Sequence, residues 1–536
     1  MGDLRHTVVS ARPNRLRTHP RRSATLNAHD DADGPHRPQP GPEREPGPVP
    51  APQPSAGKPV AGPPPPLPQP WQPEQPPAPP RDHTAEGRRP APHAPTRTAP
   101  KPRGSRLRAG LAAGPPPGPA RPEFWRSPLR GPWLTSVFGL VLLPGITVVF
   151  VTGLLSYAAY NPDLAAVNDQ TPDKGWLGFY LFSWPTSPSW LYRLNQGIHV
   201  TLGIVLVPVL LAKLWSVIPK LFAWPPLRSP AQAVERLSLL LLVGGALFEF
   251  ATGILNIQLH YIFPGSFYTL HYYGAWVFIG AFVVHVVFRV PVMVRALRSR
   301  RLRTELRTGA ADTLPEPPDD TGLVSPRPAP ATLSRRGALA LVGAGSLALF
   351  AVTVGQSIGG WWRRTALLAP HGQEPGDGPN GFQINKTAAA VGIRPADIGP
   401  DWRLTVRGPG RETVLTLDQL RSLPQTTAAL PIACVEGWST PDQDWTGVRL
   451  TELAALVGLT DSPPDVFVES VERGGSFSST VLRDNQVRDV RSLLALRVNG
   501  ADLSPDHGYP ARIIVPANPG VHNTKWVTRL TFGATG

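Results

Sequence analysis

A single cysteine, Cys434, and two methionines are all the sulfur in this 536-residue chain. One thiol cannot close an intrachain disulfide, nor build a zinc or iron–sulfur site that needs several cysteines. Charge is scarce too: 17% of residues are Asp, Glu, Lys or Arg, and the 38 acidic residues are outnumbered by 53 basic ones. So little charge, with apolar residues arriving in long blocks, excludes an ordinary soluble enzyme. Aromatic and branched apolar residues are sparse over the first 120 positions, which hold roughly half of the 68 prolines. Such a stretch cannot bury enough apolar surface to offset the entropy of ordering it, so 1–125 is expected to be a disordered Pro-rich tail.

What the chain does have is five apolar blocks, near 132–158, 196–218, 237–257, 267–293 and 337–358. Each is long enough to cross a bilayer as a helix, which takes about 20 residues. Arginine and lysine accumulate at alternate flanks. Arg121, Arg126 and Arg130 precede the first block, Lys220, Arg228 and Arg236 lie between the second and third, and Arg295–Arg307 follow the fourth. The other loops carry little charge, with Lys174 and Arg193 in one of them. Positive flanks stay inside, so the expectation is a multi-pass cell-membrane protein with a cytoplasmic N-terminus and an extracytoplasmic C-terminal domain. Trp176, Trp184 and Trp190 suit the outer interface, Trp215 and Trp224 the inner one. Membrane lipid is thus an expected partner. No folded nucleic-acid reader accompanies the basic tail, so none is expected there. Ser334-Arg335-Arg336-Gly337 opens the fifth block and resembles a twin-arginine export signal; two positive-inside arginines are the plainer reading.

Ligating side chains inside a span are functional candidates. His199 and His271 each lie about one turn into an outside-to-inside span, at similar depth. Two helices offering imidazoles at one depth resemble membrane-embedded b-type cytochromes, and the resemblance covers the four-helix region 130–295. It implies a haem b held by His199 and His271, with Gly203 and Gly274 giving the porphyrin room. His285 stands fourteen residues beyond His271, as a second, inner haem ligand would, but Lys213 stands fourteen beyond His199. One haem is expected and a second left open; Lys213 reads more readily as snorkelling to the cytoplasmic face. His260 is a rival outer ligand. Glu249, in the outer half of the third span, is either a proton relay or quinol contact, or a packing residue.

After a cytoplasmic linker over 296–334 and the fifth span over 335–360, the texture becomes soluble, giving a domain over 380–536. Short alternating runs at 402–406, 466–471 and 511–515 predict strands, with short helices at 417–421 and 450–456, around one core. Cys434-Val-Glu436-Gly-Trp438-Ser439, Trp445-Thr-Gly-Val448, Asp506-His-Gly-Tyr-Pro-Ala-Arg512 and Gly520-Val-His522-Asn523-Thr-Lys525-Trp526 follow in order. Together they resemble the sulfite-oxidase fold of molybdopterin enzymes. That resemblance implies a molybdenum centre in which Cys434 is the metal ligand and catalytic residue, with Asn385, Arg512, His522 and Lys525 holding the pterin and its phosphate. Where sulfite oxidases carry arginines after the cysteine, Glu436 and Trp438 stand here, which argues against an anionic substrate. The stretch is closer to the periplasmic methionine-sulfoxide reductase branch.

The fold expected is therefore a multi-domain membrane protein: a disordered tail, a four-helix cytochrome b-like bundle, a fifth helix, and a mixed α+β molybdopterin domain. The function expected is electron transfer between a quinol or quinone pool, haem b and molybdenum, acting on a small oxidised substrate. Electron flow in reverse, or an inactive tethered binding domain, are the alternatives.

Overall fold

A long apolar run leaves a helix little polar surface to present to water, and five of the helices here are built on such runs. The structure is a computed structural model that describes residues 114–160, 182–225, 229–257, 267–318, 322–368, 376–472 and 477–533. Among them, five helices are long and apolar enough to cross a membrane. They are α1 (Pro132–Tyr160), α2 (Leu191–Phe222), α3 (Pro230–Asn256), α4 (Phe267–Ser299) and α5 (Arg335–Ala351). The Pro-rich tail up to residue 113, His260, Trp176, Lys174 and Arg228 lie outside the described residues.

α1 packs on α2 and α4, and α3 packs on α2 and α4, closing a four-helix ring; α5 lies outside it against α2. Phe138, Leu142, Ile146, Leu206, Leu210 and Phe278 fill the ring's interior. Outward faces stay apolar as well, with Val141, Val148, Leu240, Val287, Phe288 and Leu347 all exposed. The fifth span is broken near Thr353, after which a short helix, Val354–Ile358, continues it. The expected linker is ordered over much of its length. Glu305 joins Arg300 at 2.8 Å and Arg335 at 3.2 Å, and Arg335, 1% exposed, also donates to the Leu314 carbonyl. Glu316 accepts from the backbone N–H of Trp133, at the N-terminus of α1, where a carboxylate complements the helix dipole.

The C-terminal domain has two five-stranded sheets, ordered β2-β1-β10-β5-β6 and β3-β4-β7-β8 with β9 on β7. The strands are β1 (Leu404–Gly408), β2 (Arg411–Leu415), β3 (Thr426–Leu430), β4 (Gln443–Arg449), β5 (Val466–Ser470), β6 (Ser479–Leu482), β7 (Leu493–Val498), β8 (Ala501–Asp502), β9 (Arg512–Ile514) and β10 (Val527–Phe532). Only the β1–β10 pair is parallel; the other named pairings are antiparallel. Instead of one core there are two main clusters, because the second sheet is buried on both faces. Along β7, Leu494 and Leu496 point to the cluster shared with the first sheet, while Leu493 and Ala495 point to the other. Strand periodicity of two makes that division. Leu430, Ile432, Cys434 and Trp438 belong to the second cluster, so the cysteine sits on the outer face of the second sheet.

Candidate functional site

β3 ends at Leu430, and the chain then turns tightly around Cys434. Cys434 N–H donates to the Trp438 carbonyl at 2.9 Å, and Gly437 N–H to the Cys434 carbonyl at 3.1 Å. Gly437 holds φ +89°, and a Cβ there would lie 2.8 Å from Val200 of α2. Glycine is what lets this turn touch the helix. Gln196, one turn earlier on α2, donates through Nε2 to the Val435 carbonyl. Ser357 Oγ donates to the Gly437 carbonyl at 2.6 Å, and Trp184 Nε1 to the Ala517 carbonyl at 2.8 Å. The cysteine turn is therefore the part of the domain seated on the helix ends.

Between them lies a cavity of about 960 Å³, near the upper end of what ligand pockets usually offer. Its lining includes His199, Gly203 and His271 at the helix end, and Asn385, Lys386, Cys434, Glu436 and Lys525 at the domain end. Both groups of residues expected to bind cofactors thus face one space. A smaller recess gathers Asn385, Cys434, His507, Arg512 and Lys525.

The donors at the domain end are cationic and short of anionic partners. Arg512, 2% exposed, donates to the His507 and Asn523 carbonyls, and Lys525 to those of Lys386 and Asp506. Neither makes an ion pair with a carboxylate among the described residues, and Arg512 Nε and Thr524 Oγ1 are buried without a partner among them. Burial pushes the Arg512 guanidinium down to about 9. Burial, reinforced by Arg512 and Lys386, holds the Lys525 ammonium well below the usual lysine range. Buried cations without counter-charge are costly, and an anionic phosphate in the adjoining cavity, against Lys525, would supply it. Burial, then the Glu436 carboxylate, pushes the Cys434 thiol well up; a bound cationic metal makes such a thiol a thiolate. Glu436 accepts from Trp438 Nε1 at 2.8 Å. These residues fit a pterin phosphate and a soft, thiolate-binding metal.

Residues 391–535 match the family model for the oxidoreductase molybdopterin binding domain. This region is a molybdopterin-binding oxidoreductase domain of the sulfite oxidase family. The molybdopterin domain is similar to the uncharacterized oxidoreductase YuiH of Bacillus subtilis, 29% identical over 132 residues, covering 24% of this chain and 65% of that protein. It is also similar to mitochondrial sulfite oxidase of Drosophila melanogaster, 30% identical over 156 residues, 24% of this chain and 27% of that protein. The sulfane dehydrogenase SoxCD of Paracoccus pantotrophus matches at 26% identity over 25% of this chain and 38% of that one, with a TM-score of 0.23. The chain thus spans less than two thirds of each of these relatives.

At the helix end, hydrogen bonds fix both imidazoles. His199 Nδ1 donates to the Val149 carbonyl at 2.9 Å. His271 Nδ1 lies 3.1 Å from Glu249 Oε2 and 3.1 Å from Thr252 Oγ1. Because Thr252 Oγ1 donates its own proton to the Phe248 carbonyl, it accepts from His271. In each ring Nδ1 carries the proton and Nε2 is left with its lone pair, as a metal-binding imidazole requires. The ring centroids are 6.2 Å apart.

Other expected residues fall elsewhere. His522 is fully buried behind the cavity wall, its Nδ1 2.7 Å from Thr480 Oγ1. Gly203 faces open space, but Gly274 does not: Phe248 and Glu249 of α3 occupy the space a Cβ would need there. Lys213 is half-buried and donates to the Thr135 carbonyl at 2.7 Å, in the first turn of α1. His285 is half-buried, about 21 Å along α4 from His271, and is not part of the cavity lining. The sequence reading missed Lys386, paired with Glu472 on the cavity wall, and Gln196. Gln196 had a signal, since it lies one helical turn before His199 on the same face.

Proposed function

We propose that this chain is a membrane-bound oxidoreductase in which electrons from a quinol pool pass through a haem b to a molybdenum centre that reduces S- or N-oxides outside the membrane. The observation that carries the reading is the single cavity lined by His199 and His271 at one end and Cys434 at the other. Apolar outward faces on five helices support the membrane assignment. The paired imidazoles with free Nε2 atoms, and the open space at Gly203, support one haem between α2 and α4. Lys213, committed to a backbone carbonyl, argues against a second haem opposite His285.

When bound, the molybdenum cofactor supplies two-electron oxygen-atom transfer. The protein's part is to hold and select. Cys434 is the thiolate ligand; Asn385, Arg512 and Lys525 hold the pterin and its phosphate, with His522 bracing the loop behind them. Overall, an oxide takes up two electrons and two protons, its S–O or N–O bond breaks, and the oxygen leaves as water. Glu436, on the wall beside Cys434, disfavours anions such as sulfite. The domain's similarity to sulfite oxidase therefore extends to the cofactor and not to that substrate.

Metal analysis and a reduced-minus-oxidised spectrum of the full-length protein, beside Cys434→Ala, test the reading. Molybdenum and a b-type spectrum are expected in the wild type, with oxide reduction abolished in the variant. Absence of molybdenum from protein made in a cofactor-competent host would overturn it, leaving a tethered domain without redox chemistry.

A further inference from the structure

The approach to Cys434 that the cavity provides runs between the domain and the helix ends, because the cysteine turn is seated on α2 through Gln196 and Val200. One part of the cavity wall is apolar. Val521 packs against Tyr268, Val435 and Phe477, and all four line the cavity. They arrive from four separate segments: the start of α4, the cysteine turn, the turn before β6, and the loop after β9. Phe477 holds φ +65°, a left-handed conformation that an aromatic residue rarely adopts. Its ring is thus kept on the wall against local backbone preference.

Both signs of charge line this cavity, but they are not placed alike. Glu436 stands beside Cys434, whereas Lys386 is paired with Glu472, and Lys525 and Arg512 gather at the recess beside the phosphate position read above, where that phosphate would balance them. An anion would lose its hydration to an apolar wall and then meet a carboxylate. An uncharged oxide loses far less, and one dissolved at the lipid surface has already left bulk water.

We propose that Tyr268, Val435, Phe477 and Val521 form an apolar collar that admits uncharged, lipid-soluble oxides from the outer membrane surface and rejects anions and protein-borne sulfoxides. The collar rests on the oxide-reductase reading above. It names the substrate class for that site: small neutral sulfoxides or amine oxides that partition into membranes.

The test uses the full-length, cofactor-loaded protein in lipid vesicles, with a reduced viologen as electron donor. Methyl phenyl sulfoxide, zwitterionic methionine sulfoxide, nitrate and a methionine-oxidised casein are the probes. Wild type is expected to favour methyl phenyl sulfoxide over methionine sulfoxide by at least about tenfold in kcat/KM, the scale a pocket gives for a modest apolar difference. Phe477→Gly removes the ring while suiting the positive φ, and should shrink that ratio mainly through KM. Tyr268→Ala should do the same from the helix side, and decides the matter if Phe477→Gly loads cofactor poorly. Equal turnover of nitrate or oxidised casein by the wild type would overturn the collar. So would an unchanged ratio in a variant with full molybdenum and haem content. If no oxide is reduced although both cofactors are present, the oxide-reductase reading fails and the collar with it.

Discussion

Thr252 Oγ1 and the Glu249 side chain each lie 3.1 Å from His271 Nδ1 and together hold the proton on that nitrogen, leaving Nε2 free for a metal. Glu249→Leu should therefore lower haem retention about 10- to 100-fold, the usual effect of removing such an orienting partner. The haem-to-protein ratio after dialysis checks it, and retention equal to wild type would refute the role. At the domain end, His507 stacks on Phe382 and bonds the Asn380 carbonyl at 2.8 Å. Burial, with Arg512 adding to it, lowers its imidazole from 6.5 to about 3. In the unfolded chain the ring takes a proton below 6.5, whereas the folded ring does not until about 3. The unfolded state binds more protons in that window, so stability falls as pH drops through it. By pH 4.5 the loss from this group is about 2 to 3 kcal/mol. His507→Gln should flatten the dependence of the domain's unfolding midpoint between pH 7 and 4.5; an unchanged slope would contradict this. Cys434 was legible as a candidate because one cysteine stood among ordered blocks. The role of Glu249 was not, since spacing within one helix does not say which residue of a neighbouring helix will face it.

At the scale of elements, two turns tie the parts together. Gly437 brings the cysteine turn onto α2 at positive φ, and alanine there would both strain the backbone and meet Val200. Gly437→Ala is expected to loosen the domain's seating, read as faster proteolysis at that junction, while sheet content by circular dichroism stays unchanged. Glu305 sits between Arg300 and Arg335. Breaking a buried pair from one side costs about 3 to 5 kcal/mol, so Glu305→Gln should lower the unfolding midpoint of the helical part clearly; a shift near zero would mean that water replaces the carboxylate. The helices were legible because long apolar runs allow few other structures. Strands β1, β5 and β9 were legible from their apolar residues and flanking turns, with ends displaced by one or two positions because terminal pairing depends on distant partners; β7 was not read as a strand. The two-sided burial of the second sheet was not legible: alternation marks two faces without saying that both are covered. The ordered linker was missed because its order comes from Glu305 and Glu316, whose partners lie far away in sequence.

For the whole molecule, the finding that matters is adjacency. Composition and blocks separated a helical half from a soluble half, and nothing in the sequence brought their candidate sites to one cavity. That juxtaposition depends on a turn of six residues, Cys434–Ser439, meeting α2 near Gln196 and Val200. Under the proposed function, such an arrangement would need no separate carrier between a haem held by His199 and His271 and a metal held by Cys434. The direct measurement is anaerobic stopped-flow on the full-length protein with its haem pre-reduced, mixed with methyl phenyl sulfoxide. The account predicts that the b-type spectrum reoxidises in the wild type and stays reduced in Cys434→Ala at equal haem content. A haem that stays reduced in molybdenum-loaded wild type, or reoxidises equally in both proteins, would contradict it.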